Sequence, residues 1–401
     1  YVLDYLVEEV LQSQPDQVQR FLSATSILEQ LCASLCDTIL VGQTAAYRSG
    51  PDTEASEPEA STSSQQILEY LQRANLFVIP LDSDGIWFRY HRLFADLLRR
   101  RLYRENGLSI AALHKRASEW YEAHGYVQSA IDHALEVEDF DRAGRLIESA
   151  AENSISRSEM STLLDWLGAL PDSAKRSRPA LFLYQAWVKF LGGHSLDQVD
   201  TLLKQAEMHD RKNELSGELS ALRASLAIME GEIDSSIQLA NEALHSLPEE
   251  RVYLRGLAIR NLGSAHELRG NLTPAISAFS QAVRLDQRAG NIVGAVVGLT
   301  KLAELSAIQG RLNEAYELYQ QALDVGVDRS GNFLPITGRA LIGMGSILRE
   351  WNQLEAGEKM LRDGIELVRR WTHVWAIGGY IGLARVRQAQ GDPSAANEAV
   401  R

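Results

Sequence analysis

Nine side chains in the second half of the sequence combine hydrogen-bonding groups with indole rings, a mixture suited to holding a small polar molecule. Carboxylates, hydroxyls, amides and guanidinium groups make hydrogen bonds, and indole rings stack on the flat face of a sugar or another planar ligand. The nine residues are Arg260, Ser264, Glu267, Thr300, Glu304, Trp371, Trp375, Arg385 and Gln388. We expect them to line a ligand-binding groove. The alternative is that the polar ones are solvated and the tryptophans belong to the core.

The patterns that enzymes use are missing from the sequence. It has neither an H-E-x-x-H metal site nor a G-x-S-x-G nucleophile elbow, and no pair of carboxylates stands out by position. Cys32 and Cys36 are the two cysteines, too few for a zinc site or a disulfide framework. We therefore predict a chain that is not an enzyme and binds no metal, with both thiols buried in a reducing cytoplasm.

Composition and charge restrict the class of protein further. Hydrophobic residues make up 45% of the 401 residues and charged residues 23%, which is typical of globular domains. The formal net charge is −13, so non-specific binding to nucleic acid or an anionic membrane is disfavoured. No apolar run approaches the roughly 18 residues that a membrane span needs. We expect a protein without a membrane partner.

Helical hairpins recur about every forty residues in the second half of the chain. A turn residue is followed five positions later by a small residue, which allows two helices to cross closely, and the small residues are 39 to 41 positions apart. A bulkier side chain usually follows after four more positions and fills the gap to the next hairpin. The pattern predicts a superhelix of tetratricopeptide-like (TPR-like) hairpins over 178–401, with the first helix of each hairpin facing the groove. The aligned pairs are Gly231 and Ser236, Gly270 and Ala275, Gly310 and Ala315, Trp351 and Ala356, and Gly391 and Ala396.

The first part of the chain contains the one clear strand signal. Asn75–Leu81 and Ile86–Tyr90 flank a turn rich in Asp, Ser and Gly, which predicts a β-hairpin between helices. We therefore predict a mostly α protein with a winged-helix domain over 1–107. Its segment 42–64 is rich in Ser, Pro and acid, which indicates a mobile loop. A helical arm of degenerate repeats follows over 108–177.

The order and content of these motifs resemble one family. NLFVIPLD…WFRYHRLFADLLRRRL is followed by LHKRASEWYEAHG, then by LLDWLGALP…RPALFLYQAW, and then by the forty-residue repeats. This succession resembles the large ATP-dependent LuxR-type transcriptional regulators of the STAND class, also called MalT-like regulators. The resemblance implies an ATPase module, a winged helix, a helical arm, a TPR sensor and a DNA-binding helix-turn-helix, in that order.

Two of those modules have no counterpart in this sequence. No G-x-x-x-x-G-K-[ST] phosphate loop occurs, and no helix-turn-helix pattern appears near the last residue. We therefore expect the middle part of a longer regulator. The resemblance implies that this part binds no cofactor itself, whereas the full-length protein binds ATP or ADP. It also implies two further contacts, one with a nucleotide-binding domain of the same chain and one with DNA through a C-terminal domain.

His91 is the residue that the resemblance marks for nucleotide binding. The segment YHRLFADLLR is similar to the Met-His-Asp element of STAND ATPases, whose histidine contacts the β-phosphate of ADP, but Tyr90 and Arg92 replace the Met and Asp. The alternative is a histidine packed beside Phe94. An arginine cluster surrounds it, which we interpret as helix charge balance or a docking surface for the nucleotide-binding domain rather than a DNA contact. Its members are Arg89, Arg92, Arg99, Arg100, Arg101 and Arg104.

The residues and the resemblance together favour a signal-sensing function. The TPR superhelix would bind an inducer, either a small molecule such as an oligosaccharide or a regulatory protein, and so relieve autoinhibition by the winged helix. The alternative is a TPR scaffold that binds partner proteins and has no role in transcription.

Overall fold

The computed structural model is mostly α-helical, as predicted, with one two-stranded sheet in the residues that it describes. These residues are 11–41, 63–104, 109–157, 159–328, 330–371 and 373–399. The predicted mobile loop lies outside them except for its last two residues, Ser63 and Ser64, which cap and begin a helix. The chain divides into two compact units, Tyr1–Leu146 and Ile147–Arg401. The predicted boundaries near 107 and 177 stay predictions.

The first unit is a winged helix followed by one helical hairpin. Helix α1 contacts α4, and α2 contacts both α3 and α5. Their apolar faces enclose a core in which Phe21, Leu35 and Phe88 are at most 1% exposed. The helices are α1 (Asp16–Thr25), α2 (Ala33–Leu40), α3 (Ser64–Arg73), α4 (Arg92–Arg104), α5 (Ile110–Ala123) and α6 (Val127–Glu136).

The predicted β-hairpin is present, but its strands are shorter than the sequence suggested. Strand β1 is Val78–Pro80 and pairs antiparallel with β2, Phe88–Tyr90. Phe77 has a positive φ of 58°, which is incompatible with extended backbone, so β1 cannot begin earlier. At the other end, the Asp82 carboxylate accepts hydrogen bonds from the backbone N–H groups of residues 86 and 87. The turn therefore extends into residues that were predicted as strand.

A buried histidine, His114, and a half-buried one, His133, lie where α5 and α6 meet. The Nδ1 atoms of His114 and His133 are 2.9 Å apart, and Nε2 of His114 has no hydrogen-bond partner in the described part of the chain. Arg99 and Glu136 are the charged groups that act on the pair. Burial, the neighbouring imidazole and Arg99 lower the pKa of His133 to about 3. Burial also lowers the pKa of His114, against the effect of Glu136.

Acid is therefore expected to destabilise the first unit through this pair. The unfolded chain takes up a proton near pH 6.5, whereas folded His133 does so only near pH 3, so stability present above pH 6.5 is lost as the pH falls. At pH 5 the loss from His133 amounts to about 2 kcal/mol. NMR titration of the imidazole protons should place the His133 midpoint well below 5. A midpoint near 6.5 would contradict this account.

The second unit consists of consecutive antiparallel helical hairpins. In the described residues, no helix is both long and apolar enough to cross a membrane. Helix α7 (Phe140–Ser156) contains the division between the units, and it leads into α8 (Met160–Ala169) and α9 (Asp172–Ser177). The hairpins that follow pair α10 (Ala180–Leu191) with α11 (Leu196–His209), α12 (Ser216–Glu230) with α13 (Ile233–Ser246), α14 (Val252–Leu268) with α15 (Leu272–Arg288), α16 (Ile292–Ile308) with α17 (Leu312–Val325), α18 (Gly338–Glu350) with α19 (Leu354–Arg369), and α20 (Ile377–Ala389) with α21 (Pro393–Glu398).

The turn and crossing residues occupy the positions that the repeat pattern predicts in most hairpins. Gly270 has a φ of 75° and ends the first helix, and Ala275 is fully buried where the second helix crosses it. The absence of a side chain at Gly263 is required, because a Cβ there would lie 2.9 Å from the Phe279 ring. Helices of up to 17 residues account for a repeat longer than the usual 34.

One hairpin departs from the predicted register by a single residue. The alignment used Trp351 as the turn residue and Ala356 as the small crossing residue. In the structure Asn352 has the positive φ of 56°, and the buried crossing residue is Gly357, whereas Ala356 is exposed. Asn tolerates the left-handed conformation better than Trp does, so the turn shifts to the next residue.

Candidate ligand-binding groove

The repeat places three of the predicted groove residues at equivalent positions. Ser264, Glu304 and Arg385 each lie six residues before the glycine that ends the first helix of a hairpin. Because the first helices stack side by side, residues at one repeat position form a row across α14, α16 and α20. Glu304 and Arg385 of this row line the cavity described below.

A chain of ion pairs crosses the first helices of three successive hairpins. Lys301 on α16 lies 3.2 Å from the Glu267 carboxylate on α14 and 2.8 Å from Glu304 on its own helix. Glu304 in turn lies 3.3 Å from the guanidinium group of Arg339, in the first turn of α18. Each of the four side chains is at most one-third exposed. These pairs hold the polar wall of the groove in one arrangement.

The two central groups of this chain, Lys301 and Glu304, remain charged. Burial alone would raise the pKa of the Glu304 carboxyl, but Arg339 and Lys301 outweigh burial and keep that pKa below its usual value. Burial would likewise lower the pKa of Lys301, yet Glu304 and Glu267 raise it above the usual value. The wall therefore presents fixed charges that are already balanced by neighbours of opposite sign.

The two predicted tryptophans form the aromatic end of the same wall. The rings of Trp371 and Trp375 are 5.1 Å apart, and the guanidinium carbon of Arg339 lies 5.2 Å from the centre of the Trp375 ring. Both indoles also pack against the core cluster that contains Ile336 and Ala340. The indole N–H of Trp371 has no hydrogen-bond partner in the described residues. Trp375 therefore belongs in part to the core, and its predicted contact with a ligand stays a prediction.

A cavity of about 820 Å³ brings Glu304, Trp375 and Arg385 together. Arg339 and the Tyr319 ring complete its wall. Tyr319 can lie there because residue 343 is glycine, since a Cβ at that position would overlap the tyrosine ring. The cavity thus combines two aromatic rings, three guanidinium groups and two carboxylates. Such a set can stack on a ring and hydrogen-bond its substituents.

The other predicted groove residues lie outside this cavity. Arg260 has 10% of its side chain exposed and forms an ion pair with fully buried Asp286. Thr300 is buried, and its hydroxyl has no hydrogen-bond partner in the described part of the chain. Ser264 is half-buried and Gln388 is exposed, and neither lines the cavity. Glu267 and Trp371 support the wall through Lys301 and Trp375. Ligand contact by any of the nine stays a prediction.

Sequence reasoning missed Lys301, Arg339 and Tyr319. The spacing of three residues between Lys301 and Glu304 is a helical ion-pair signal that was available in the sequence. Tyr319 occupies the bulky position of its repeat, four residues after Ala315, and it also lines the cavity. No sequence pattern indicated Arg339, because its role depends on contact with Trp375, a residue that is not part of the repeat pattern.

His91 lies between the wing and the following helix. Its backbone N–H bonds to the carbonyl of residue 77, and its carbonyl accepts the N–H of residue 95 in the first turn of α4. The histidine is exposed, as is Arg92, whereas Tyr90 is buried with its hydroxyl 2.7 Å from that of Thr25. Within the arginine cluster, Arg99 donates to the carbonyl of residue 26. His91 therefore lies at the surface. A histidine packed in the core, which was the alternative, would be buried.

Comparison with known families decides the class of the chain. The family model of the MalT winged helix domain matches residues 7–110, and that of the MalT-like TPR region matches residues 217–401. The chain belongs to the MalT-like regulators. It is 32% identical over 403 residues to the HTH-type transcriptional regulator MalT of Serratia proteamaculans (strain 568), covering 99% of the chain and 42% of that protein. MalT of Yersinia pestis (strain Pestoides F) gives the same identity and coverage. The chain spans less than half the length of these curated relatives.

Solved structures resemble this MalT-like chain in fold. A STAND protein with a tetratricopeptide repeat sensor from Pyrococcus horikoshii aligns with a TM-score of 0.59 and 13% identity, covering 100% of the chain and 64% of that protein. The apo form of the quorum sensor NprR from B. thuringiensis aligns with a TM-score of 0.51 and 10% identity, covering 83% of the chain and 93% of NprR. The predicted TPR-like helical fold is confirmed.

Proposed function

We propose that this MalT-like chain is the inducer-sensing part of a STAND-class transcriptional activator, and that the inducer binds in the cavity beside Trp375. The observation that carries the proposal is that Glu304, Arg339 and Arg385, on first helices of the TPR superhelix, line one cavity together with Trp375, which lies just before α20. The cavity has a volume of about 820 Å³, within the range of small-molecule sites, which is roughly 300–1,000 Å³.

The chemistry of the walls favours a neutral, hydroxyl-rich inducer such as an oligosaccharide. Glu304 and Arg339 already neutralise each other, and Arg349 pairs with Glu350 on the same rim. Arg385 is the remaining guanidinium on the wall. A ligand with a full charge would compete for the partners in these ion pairs. The hydroxyl groups of a sugar can instead hydrogen-bond to the paired side chains while the sugar ring stacks on the Trp375 indole.

Inducer binding would act on the winged helix by shifting a conformational equilibrium. The inducer must bind the open arrangement more tightly than the resting one, since equal affinity for both shifts nothing. In the resting state of the full-length protein, we propose that His91 contacts the β-phosphate of ADP. Its exposed position at the start of α4 supports this role, because a helix N-terminus attracts phosphate.

Calorimetry with a panel of neutral di- to tetrasaccharides tests the sensing proposal. We expect saturable binding that Arg385→Ala weakens about tenfold or more, through loss of a charge-assisted hydrogen bond. The matched control is Arg288→Ala, which removes an exposed arginine on α15 outside the cavity and should leave affinity unchanged. If no saccharide binds and a partner protein is captured through the groove instead, the scaffold alternative replaces the sensor. Equal losses of affinity in Arg385→Ala and Arg288→Ala would mean that the ligand does not bind in this cavity.

A further inference from the structure

A second cavity, of about 600 Å³, lies in the first unit and belongs to none of the sites described above. Its walls come from the turn between β1 and β2, the N-terminal turn of α2, and the end of α5 with the residues after it. The side chains that matter below are Asp84, Trp87, Trp120, His124 and Tyr126.

The aromatic rings of this cavity are arranged around a common space. The Trp120 and Tyr126 rings are nearly parallel, at 9° and 6.0 Å between centroids. The Trp87 ring stands at 75° to Trp120 and 70° to Tyr126. The other stacking partner of Trp120 is the His124 ring, 3.9 Å away. Tyr126 remains 44% exposed and Trp87 is half-buried, so these two rings are accessible from solvent, whereas Trp120 is only 7% exposed.

The charges around the rings favour a cation. No lysine or arginine is among the residues that line this cavity, and Asp84 contributes an exposed carboxylate. The N-terminal turn of α2 also lines the wall, but a helix dipole is equivalent to only about half a positive charge. The full charge of Asp84 therefore leaves the wall negative. In the TPR groove, by contrast, the chain's own Arg339 already covers the Trp375 ring.

We propose that this aromatic cavity binds an organic cation, a quaternary ammonium or guanidinium head group, by cation–π attraction to Trp87 and Tyr126 with Asp84 as the counter-charge. The face of an indole ring attracts a cation most strongly among side chains, and desolvation strengthens the attraction. The head group could come from a free small molecule or from a basic side chain of a partner protein. The site is independent of the inducer cavity, so the two proposals can fail separately.

Pairs of isosteres that differ only in charge test the proposal on the intact chain. Choline is compared with 3,3-dimethyl-1-butanol, its neutral analogue, by calorimetry and tryptophan fluorescence. N-acetyl-arginine methylamide is compared with its citrulline equivalent in the same way. We expect a cation to bind at least about tenfold more tightly than its neutral analogue. If choline binds more tightly than the arginine derivative, the ligand is a small molecule. If the arginine derivative binds more tightly than choline, the ligand is a side chain of a partner protein.

Two variants locate the binding site. Asp84→Asn and Tyr126→Leu both change exposed side chains, and each should weaken binding of the preferred cation about threefold to tenfold. Tyr103→Leu, which changes an exposed tyrosine outside this cavity, is the matched control and should have no effect. Equal binding of cation and neutral analogue, unchanged binding in both variants, or no saturation by either cation up to roughly 50 mM would overturn the proposal.

Discussion

Replacing Asp286 by alanine is expected to reduce the free energy of unfolding of the TPR unit by about 3–5 kcal/mol. The Asp286 carboxylate is fully buried and pairs with Arg260, and it also accepts a 2.7 Å hydrogen bond from the Asn291 amide. These three side chains connect α14, the end of α15 and the N-cap of α16. Removing the carboxylate leaves the Arg260 guanidinium buried without its counter-charge. Urea denaturation followed by circular dichroism measures the loss.

A surface ion pair of the same repeat provides the control. Arg269 pairs with Asp234, whose side chain is 90% exposed, so Arg269→Met should change the free energy of unfolding by at most about 1 kcal/mol. Arg260→Met should resemble Asp286→Ala, because either change leaves one buried charge unpaired. If the Arg269 and Arg260 variants were equally stable, the pair between α14 and α15 would be no more than a peripheral contact.

The second large effect concerns the inducer. Trp375→Ala is expected to lower the affinity for the best-binding saccharide about tenfold to a hundredfold, because aromatic anchors contribute most of the binding energy at such sites. Calorimetry gives the affinity. Trp375 also packs on the core, so Trp375→Leu is compared in parallel; it keeps apolar bulk but loses the stacking ring. Phe333→Ala, which removes an aromatic ring that is 46% exposed and outside the cavity, is the control. A similar loss in Phe333→Ala would contradict the placement of the ligand.

Much of the fold could be predicted because the repeat is a local and periodic signal. Gly270, Gly310 and Gly391 each end a helix with positive φ, as their spacing predicted. A prediction fails where a neighbouring residue adopts the required backbone conformation more easily than the residue that was assigned to it. Asn352 takes the turn conformation that was assigned to Trp351. In the wing, the backbone conformation of Phe77 shortens a strand that its Phe, Val and Ile residues favour.

The candidate site could be predicted less completely, because its position depends on contacts between repeats. The repeat register identified Glu304 and Arg385, which line the cavity. It could not reveal that Arg260 would be used for a buried ion pair, because that depends on an aspartate of the next helix. Nor could it indicate Arg339, whose neighbours come from α16 and from the segment before α20.

Hydrogen–deuterium exchange with and without a saturating oligosaccharide tests the central claim most directly. If the inducer binds where the first helices of the TPR hairpins converge, peptides from α16, α18 and the segment 373–389 should become protected, because they carry Glu304, Arg339, Trp375 and Arg385. Peptides from α11 and α13, which contribute nothing to that cavity, should exchange at unchanged rates. Protection confined to the winged-helix unit, or no protection under any saccharide of the panel, would contradict the account.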